Sequence, residues 1–174
     1  MRRVSIIGSG GAGKSTLARK LGEITGLPVV HLDSEFWRPG WTETPKDEWR
    51  SRVEGLIEGE KWIIDGNFGG TMEIRLGAAD TVILLDFPRM LCTYRAVKRA
   101  VIYRNRTRPD MGPGCNEKLD LEFLRWVWQF PGKTLARIEN RLERLGPDVR
   151  VVRLHSPREV EIFLNEVTNR FAQT

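Results

Sequence analysis

The stretch SIIGSGGAGKSTLAR, residues 5–19, constrains this chain more than any other. Gly8, four residues, then Gly13, Lys14 and Ser15 satisfy the phosphate-binding pattern G-x-x-x-x-G-K-[ST]. At average residue frequencies a chain of this length meets that pattern by chance roughly one time in a hundred. Its surroundings sharpen the reading. Val4, Ile6 and Ile7 before it read as a buried strand, Leu17, Leu21 and Ile24 after it fall at helical spacing, and Gly26-Leu27-Pro28 ends the helix. Between strand and helix, Gly8, Gly10, Gly11 and Gly13, with Ser9 and Ala12 among them, let the backbone turn its N–H groups inward around an anion. Lys14 is then placed to reach the β- and γ-phosphates, Ser15 to ligate Mg²⁺, and Thr16 to add a hydroxyl near the α-phosphate. The loop predicts a nucleoside triphosphate site.

The rest of the chain supplies a scaffold for it. Residues 27–33, 61–65, 81–86 and 149–154 are short apolar runs that read as strands, and the first three of these end in aspartate. Helical spacing predicts helices from Pro45 to Gly59 with Thr44 as its cap, from Met90 through Tyr94, Val97 and Val101, over 121–130 and over 135–145. Pro131-Gly132 separates the last two, and Ser156-Pro157-Arg158-Glu159 forms a capping box that opens a final helix. Strands alternating with helices predict an α/β fold, a doubly wound parallel sheet with ligands at the carboxyl ends of its strands. PGKTLAR, 131–137, imitates a second phosphate loop, but Val127 stands where the pattern needs glycine.

With 174 residues, 40% of them hydrophobic, the chain reads as one domain, 1–174. Two cysteines make neither a disulfide framework nor a metal cluster, and MRRVSIIG breaks at Gly8, too soon for a signal peptide; a cytoplasmic protein without a membrane segment is expected. The net charge of +5 is uneven. Arg89, Arg95, Lys98, Arg99, Arg104, Arg106 and Arg108 follow one another without an acidic residue, leaving 21 basic against 23 acidic residues elsewhere.

Phosphoryl transfer requires a carboxylate at the metal, a second to orient or deprotonate the acceptor, and cations on the transferring group. Asp65, after an apolar strand, is the candidate metal partner of Ser15. Asp33 reads either as the acceptor's base or as an Asx turn, while His31 and His155 read as packing residues. Arg99, Arg104 and Arg106 read either as arginines of a closing lid, about 104–118, or as a solvated face. Glu35, Arg38 and Arg75 are available to fix an acceptor, and Trp37 and Trp41 read as either core or a ring-stacking wall.

Taken together, IIGSGGAGKSTLAR, HLDSEFWRPGW, WIIDGNF, VILLDFPR and the arginine-rich run to RPDMGPGCNE resemble the adenylate-kinase-like P-loop kinases, most closely the bacterial DNA topology modulation proteins. The resemblance spans nearly the whole chain. It implies a P-loop NTPase three-layer sandwich with a five-stranded sheet in order 2-3-1-4-5, ATP with Mg²⁺, and γ-phosphate transfer to a small acceptor such as a nucleoside, nucleotide or hydroxyl metabolite. It also implies that the phosphate loop is Gly8–Thr16, that the lid arginines lie in 99–108, and that LHSPRE passes beside the adenine. DGNFGG departs from the D-G-[FY]-P-R of adenylate kinases and so lacks the arginine that grips an acceptor phosphate there. The competing reading is a nucleic-acid-binding ATPase or regulator, in which the basic run lies on a phosphate backbone.

Overall fold

A computed structural model describes residues 1–172. Along the chain run β1 (Arg3–Gly8), α1 (Lys14–Thr25), β2 (Val29–His31), α2 (Leu32–Phe36), β3 (Trp37–Arg38), β4 (Thr42–Glu43) and α3 (Lys46–Ile57). They are followed by β5 (Trp62–Asp65), α4 (Met72–Ala78), β6 (Thr81–Leu85), α5 (Arg89–Ile102), α6 (Leu121–Leu142), β7 (Arg150–Leu154) and α7 (Pro157–Phe171). The five apolar runs form one sheet, order β2-β5-β1-β6-β7, with every neighbouring pair parallel. Counted as core strands, that order is the expected 2-3-1-4-5.

Because side chains alternate along a strand, each apolar run serves both faces of the sheet. Val4, Ile6, Ile63, Ile83 and Leu85 meet Leu17 and Leu21 of α1 and Phe163 and Leu164 of α7. Ile7, Ile64, Val82 and Leu84 meet Trp49 of α3, Met72 and Leu76 of α4, and Phe130 and Ile138 of α6 on the opposite face. The result is three layers, with the carboxyl ends of β1, β2 and β5 converging at the phosphate loop. Among the described residues no helix is long and apolar enough to cross a membrane.

Four local features differ from the sequence-based expectation. β2 stops at His31, so Asp33 sits in the first turn of α2 rather than at a strand end. Thr44 does not cap α3; its hydroxyl donates to the Phe36 carbonyl at 2.6 Å, closing the β3–β4 hairpin. Residues 121–142 form one helix with Pro131 inside it, not two helices. An interior proline costs about 3 kcal/mol. Val127, Phe130, Ile138 and Leu142 are buried on both sides of it, and at roughly 1.5–3 kcal/mol per large apolar side chain they outweigh the break.

The fourth feature concerns α5. Met90, Tyr94, Val97 and Val101, which mark this helix in the sequence, are exposed, and its buried face is Cys92, Ala96 and Ala100. Small residues there let α5 approach the phosphate loop closely. A Cβ on Gly11 would lie 2.2 Å from the Cys92 carbonyl oxygen.

Candidate active site

The loop runs from Gly8, the last residue of β1, into Lys14 and Ser15, the first of α1, with Gly11 at φ 76° and Gly13 at φ 96°, left-handed values that glycine adopts without strain. The Lys14 ammonium folds back over the loop and donates to the Gly8 and Ser9 carbonyls at 3.0 Å each. Burial lowers its pKa, and the charges of Asp33 and Asp65 oppose that fall. Asn67 pins the start of the loop: its amide donates to the Gly8 carbonyl at 2.8 Å and accepts from the Gly8 N–H at 3.1 Å. Thr16 is exposed at the cavity wall.

Asp65 is buried at the end of β5, where its Oδ2 accepts from the Ser15 hydroxyl at 2.8 Å. Its other oxygen contacts His31 Nδ1, because His31 and Asp65 are in-register partners on adjacent parallel strands. The sequence reading assigned His31 only a packing role. The hydrogen bond to Asp65 raises the His31 pKa, against a smaller opposing effect of burial. A histidine whose pKa is raised on folding contributes stability in full below its unfolded value of about 6.5, and that contribution is lost as pH rises through the folded value. Without nucleotide, raising the pH from 6 to 8 is therefore expected to lower the melting temperature of the parent more than that of His31→Asn. Parallel curves for the two proteins would refute the coupling.

Asp33 reaches the same cavity from α2, and burial raises its pKa while Lys14 opposes the rise. The cavity, about 1030 Å³, runs from the phosphate loop past Asp33 and Asn67 to Trp37, Trp41 and Phe68 on one side. On the other side it reaches Phe123 and Trp126 of α6 and Pro157 and Val160 of α7, so the LHSPRE turn borders it through Pro157. This volume is at the upper end of small-molecule sites, roughly 300–1,000 Å³.

The arginine-rich run divides sharply. Arg95, Arg99 and Arg108 line the cavity, whereas Arg104 and Arg106 are exposed and do not. The 104–106 turn acts through its backbone: Asn105 N–H donates to the Glu117 carbonyl at 3.1 Å, and Glu117 N–H donates to the Arg106 carbonyl at 2.9 Å. The buried Glu117 carboxylate is thereby fixed between Arg99 and Arg108, at 3.2 Å and 2.7 Å, and Arg108 also pairs with Asp110 at 3.1 Å. Nothing in the sequence distinguishes Arg108 from Arg106; the bridges between 104–107 and 116–117 decide which side chain turns inward.

The remaining acceptor-side candidates lie outside the cavity. Glu35 pairs with Arg52 at 3.2 Å, and Arg38 pairs with Glu48. Arg75 of α4 is fully buried, donating to the Gly66 carbonyl at 3.0 Å and to the Asn67 carbonyl, and burial pushes its pKa down to about 10, so it stays charged at neutral pH. Rather than clamping an acceptor, it holds the turn that carries Asn67 to the loop. Arg75→Met removes both donors and leaves two carbonyls unpaired, at roughly 1–3 kcal/mol each. For a chain of this size the melting temperature should fall by roughly 4–20 °C in calorimetry. A parental melting temperature combined with a raised acceptor KM would restore the clamp role.

No family model matches the chain, and no curated protein is similar enough in sequence to match it. Solved structures do match. Shikimate kinase from Acinetobacter baumannii aligns over 100% of this chain and 95% of its own, at 15% identity and a TM-score of 0.57. Shikimate kinase from Bacteroides thetaiotaomicron covers 98% of each chain at 14% identity and TM-score 0.55. A gluconokinase from Sinorhizobium meliloti 1021 covers 99% and 92% at 14% identity and TM-score 0.52. The fold is the P-loop kinase fold. At such low identity the likeness speaks for architecture, and chemistry must be argued from the residues.

Proposed function

We propose that this protein is an ATP-dependent kinase that moves the γ-phosphate of ATP to a small acceptor. The observation that carries the proposal is the convergence of Lys14, Ser15, Asp33, Arg95 and Arg99 on one cavity at the carboxyl ends of the sheet, with Asp65 hydrogen-bonded to Ser15 behind its wall. In this reading Gly8–Thr16 cradles the phosphates, and Lys14 leaves the Gly8 and Ser9 carbonyls for the β- and γ-phosphates. The Ser15 hydroxyl and Asp65 carboxylate, 2.8 Å apart, fit a hard cation that takes oxygen ligands. When bound, Mg²⁺ supplies neutralisation of charge on the transferring group.

Asp33 accepts the proton of the acceptor hydroxyl as its oxygen bonds the γ-phosphorus. The bond from that phosphorus to the β–γ bridging oxygen breaks, and ADP leaves. Burial raises the Asp33 pKa, which brings this carboxylate nearer to the acceptor's proton. Arg95 and Arg99 stabilise charge on the equatorial oxygens, with 104–118 as a lid over the site in a single domain, 1–174. Arg99→Ala should cut turnover roughly 10- to 100-fold with ATP affinity nearly intact, whereas Arg106→Ala stays near parental turnover. Initial-rate ADP release for both variants checks this, and equal losses would return the role to the run as a whole.

The competing nucleic-acid reading has less support from the structure. Of the seven basic residues in the run, Arg95, Arg99 and Arg108 face the cavity and Arg89 lies over the Trp128 ring at 5.4 Å. Arg89, Lys98, Arg104 and Arg106 are the exposed members, so nearly half of the run's charge is turned away from a phosphate backbone. Within the fold, the sequence stretches quoted above favour the adenylate-kinase-like branch and the DNA topology modulation proteins, in a cytoplasmic setting. Mixing protein, ATP·Mg²⁺ and a metabolite panel, and reading ADP release, tests the proposal.

A further inference from the structure

The acceptor end of the cavity is acidic and aromatic, and its buried arginines are already paired. Asp33, Glu43 and Asp110 line it, with the buried Glu117 behind Arg108. Arg108 faces two of these carboxylates, Asp110 at 3.1 Å and Glu117 at 2.7 Å. Arg75, which could have gripped an acceptor anion, is buried on the Gly66 and Asn67 carbonyls, and Lys118 is exposed at the rim. Proteins recognise phosphate and carboxylate groups with forked, unneutralised arginine. Here the buried arginines Arg75 and Arg108 are taken up by carbonyls and carboxylates, and Arg19 lines the cavity only from the exposed face of α1.

The aromatic wall is built with care. Trp41 has φ 61° and Phe68 φ 38°, left-handed conformations that bulky L residues adopt only when the surroundings impose them. Trp41 Nε1 donates to the Asn116 carbonyl at 2.9 Å, and its ring lies 5.5 Å from Trp37 at 66°. Asn116 belongs to the segment whose Cys115 thiol meets the Trp37 and Arg38 carbonyls and whose Gly114 carbonyl accepts from the Gly40 N–H at 3.0 Å. The hairpin and the 108–118 segment thus fix two indole rings at the cavity, where strained backbone marks a functional surface.

We infer that the acceptor carries no phosphate or carboxylate: it is an uncharged or cationic hydroxyl compound whose flat or apolar face lies on Trp37 and Trp41. An anion placed among Asp33, Glu43 and Asp110 would meet like charge, whereas an uncharged ring or an amine gains stacking or cation–π contact with the indoles. The inference rests on the kinase reading and narrows its substrate class.

Matched pairs test it: a nucleoside against its monophosphate, and an amino sugar against the corresponding sugar acid, each with ATP·Mg²⁺. Initial-rate ADP release is measured alongside the melting shift of the ADP·Mg²⁺-loaded protein. The expected result is a kcat/KM at least roughly tenfold higher for the anion-free member of at least one pair. Trp41→Ala should raise the KM for that acceptor about tenfold while the KM for ATP stays put, and Trp41→Phe should recover most of the loss. Preference for the anionic members, an unchanged acceptor KM in Trp41→Ala, or silence from both members of every pair overturns the inference. Turnover with anionic acceptors alone leaves the kinase reading standing. ATP hydrolysis that needs DNA and no acceptor overturns both.

Discussion

Lys14→Ala should abolish the thermal protection that ATP·Mg²⁺ gives the parent and remove nearly all turnover. The ammonium sits among the carbonyls of Gly8 and Ser9, 3.0 Å from each, on the lip of the loop where β- and γ-phosphates would lie. It is the one loop side chain that brings a full positive charge to the donor. At a hundredfold excess over Kd, a ligand that binds only the folded state stabilises it by about 2.7 kcal/mol. In a chain of this size that corresponds to roughly 5–11 °C in melting temperature. The variant should lose this rise when each protein is compared with its own nucleotide-free melting temperature. A mutant that rises with ATP as the parent does would remove the loop from the account. Turnover should fall by roughly 10²- to 10³-fold or more, as when a preorganised donor is taken from a developing charge.

Asp33→Asn should separate chemistry from binding more cleanly. The side chain faces the cavity from the first turn of α2, near Lys14 but not on the loop, so the donor site survives the change. Turnover should drop roughly 10²- to 10⁴-fold with ATP-induced protection kept. The pH–rate profile gives an independent readout. Burial raises the Asp33 pKa, so the ionised base is lost at a pH above the ordinary carboxylate range, and the acid limb of kcat/KM should lie there in the parent. Near-parental turnover in Asp33→Asn, with Asp65→Asn inactive, would place the acceptor's base elsewhere.

The legible parts of the site are those held by neighbours in sequence. A glycine-rich loop between an apolar strand and a helix determines its own conformation, and Asp65 follows its strand directly, so both could be read from the chain. The sheet order came with the resemblance rather than with periodicity. What could not be read depends on long-range partners. His31 joins Asp65 only because β2 and β5 pair in that register, and Asn67 reaches Gly8 only because Arg75 bends the turn before it. A buried arginine gives no signal in sequence, since arginine is almost always exposed. The choice of Arg108 over Arg104 and Arg106 follows from bridges to residues 116 and 117, again across a gap. The continuity of α6 is not legible in sequence, because the local cost of Pro131 is visible there and the burial that outweighs it is not.

The central claim is that a phosphoryl group leaves ATP for an acceptor bound beside Asp33. The most direct measurement follows γ-labelled ATP with the parent protein, Mg²⁺ and the acceptor panel, separating products by chromatography. The account predicts label on one small acceptor in an amount matching ADP released, lost together in Lys14→Ala and Asp33→Asn. Label appearing only as free phosphate, at a rate set by added DNA and indifferent to every acceptor, would contradict it.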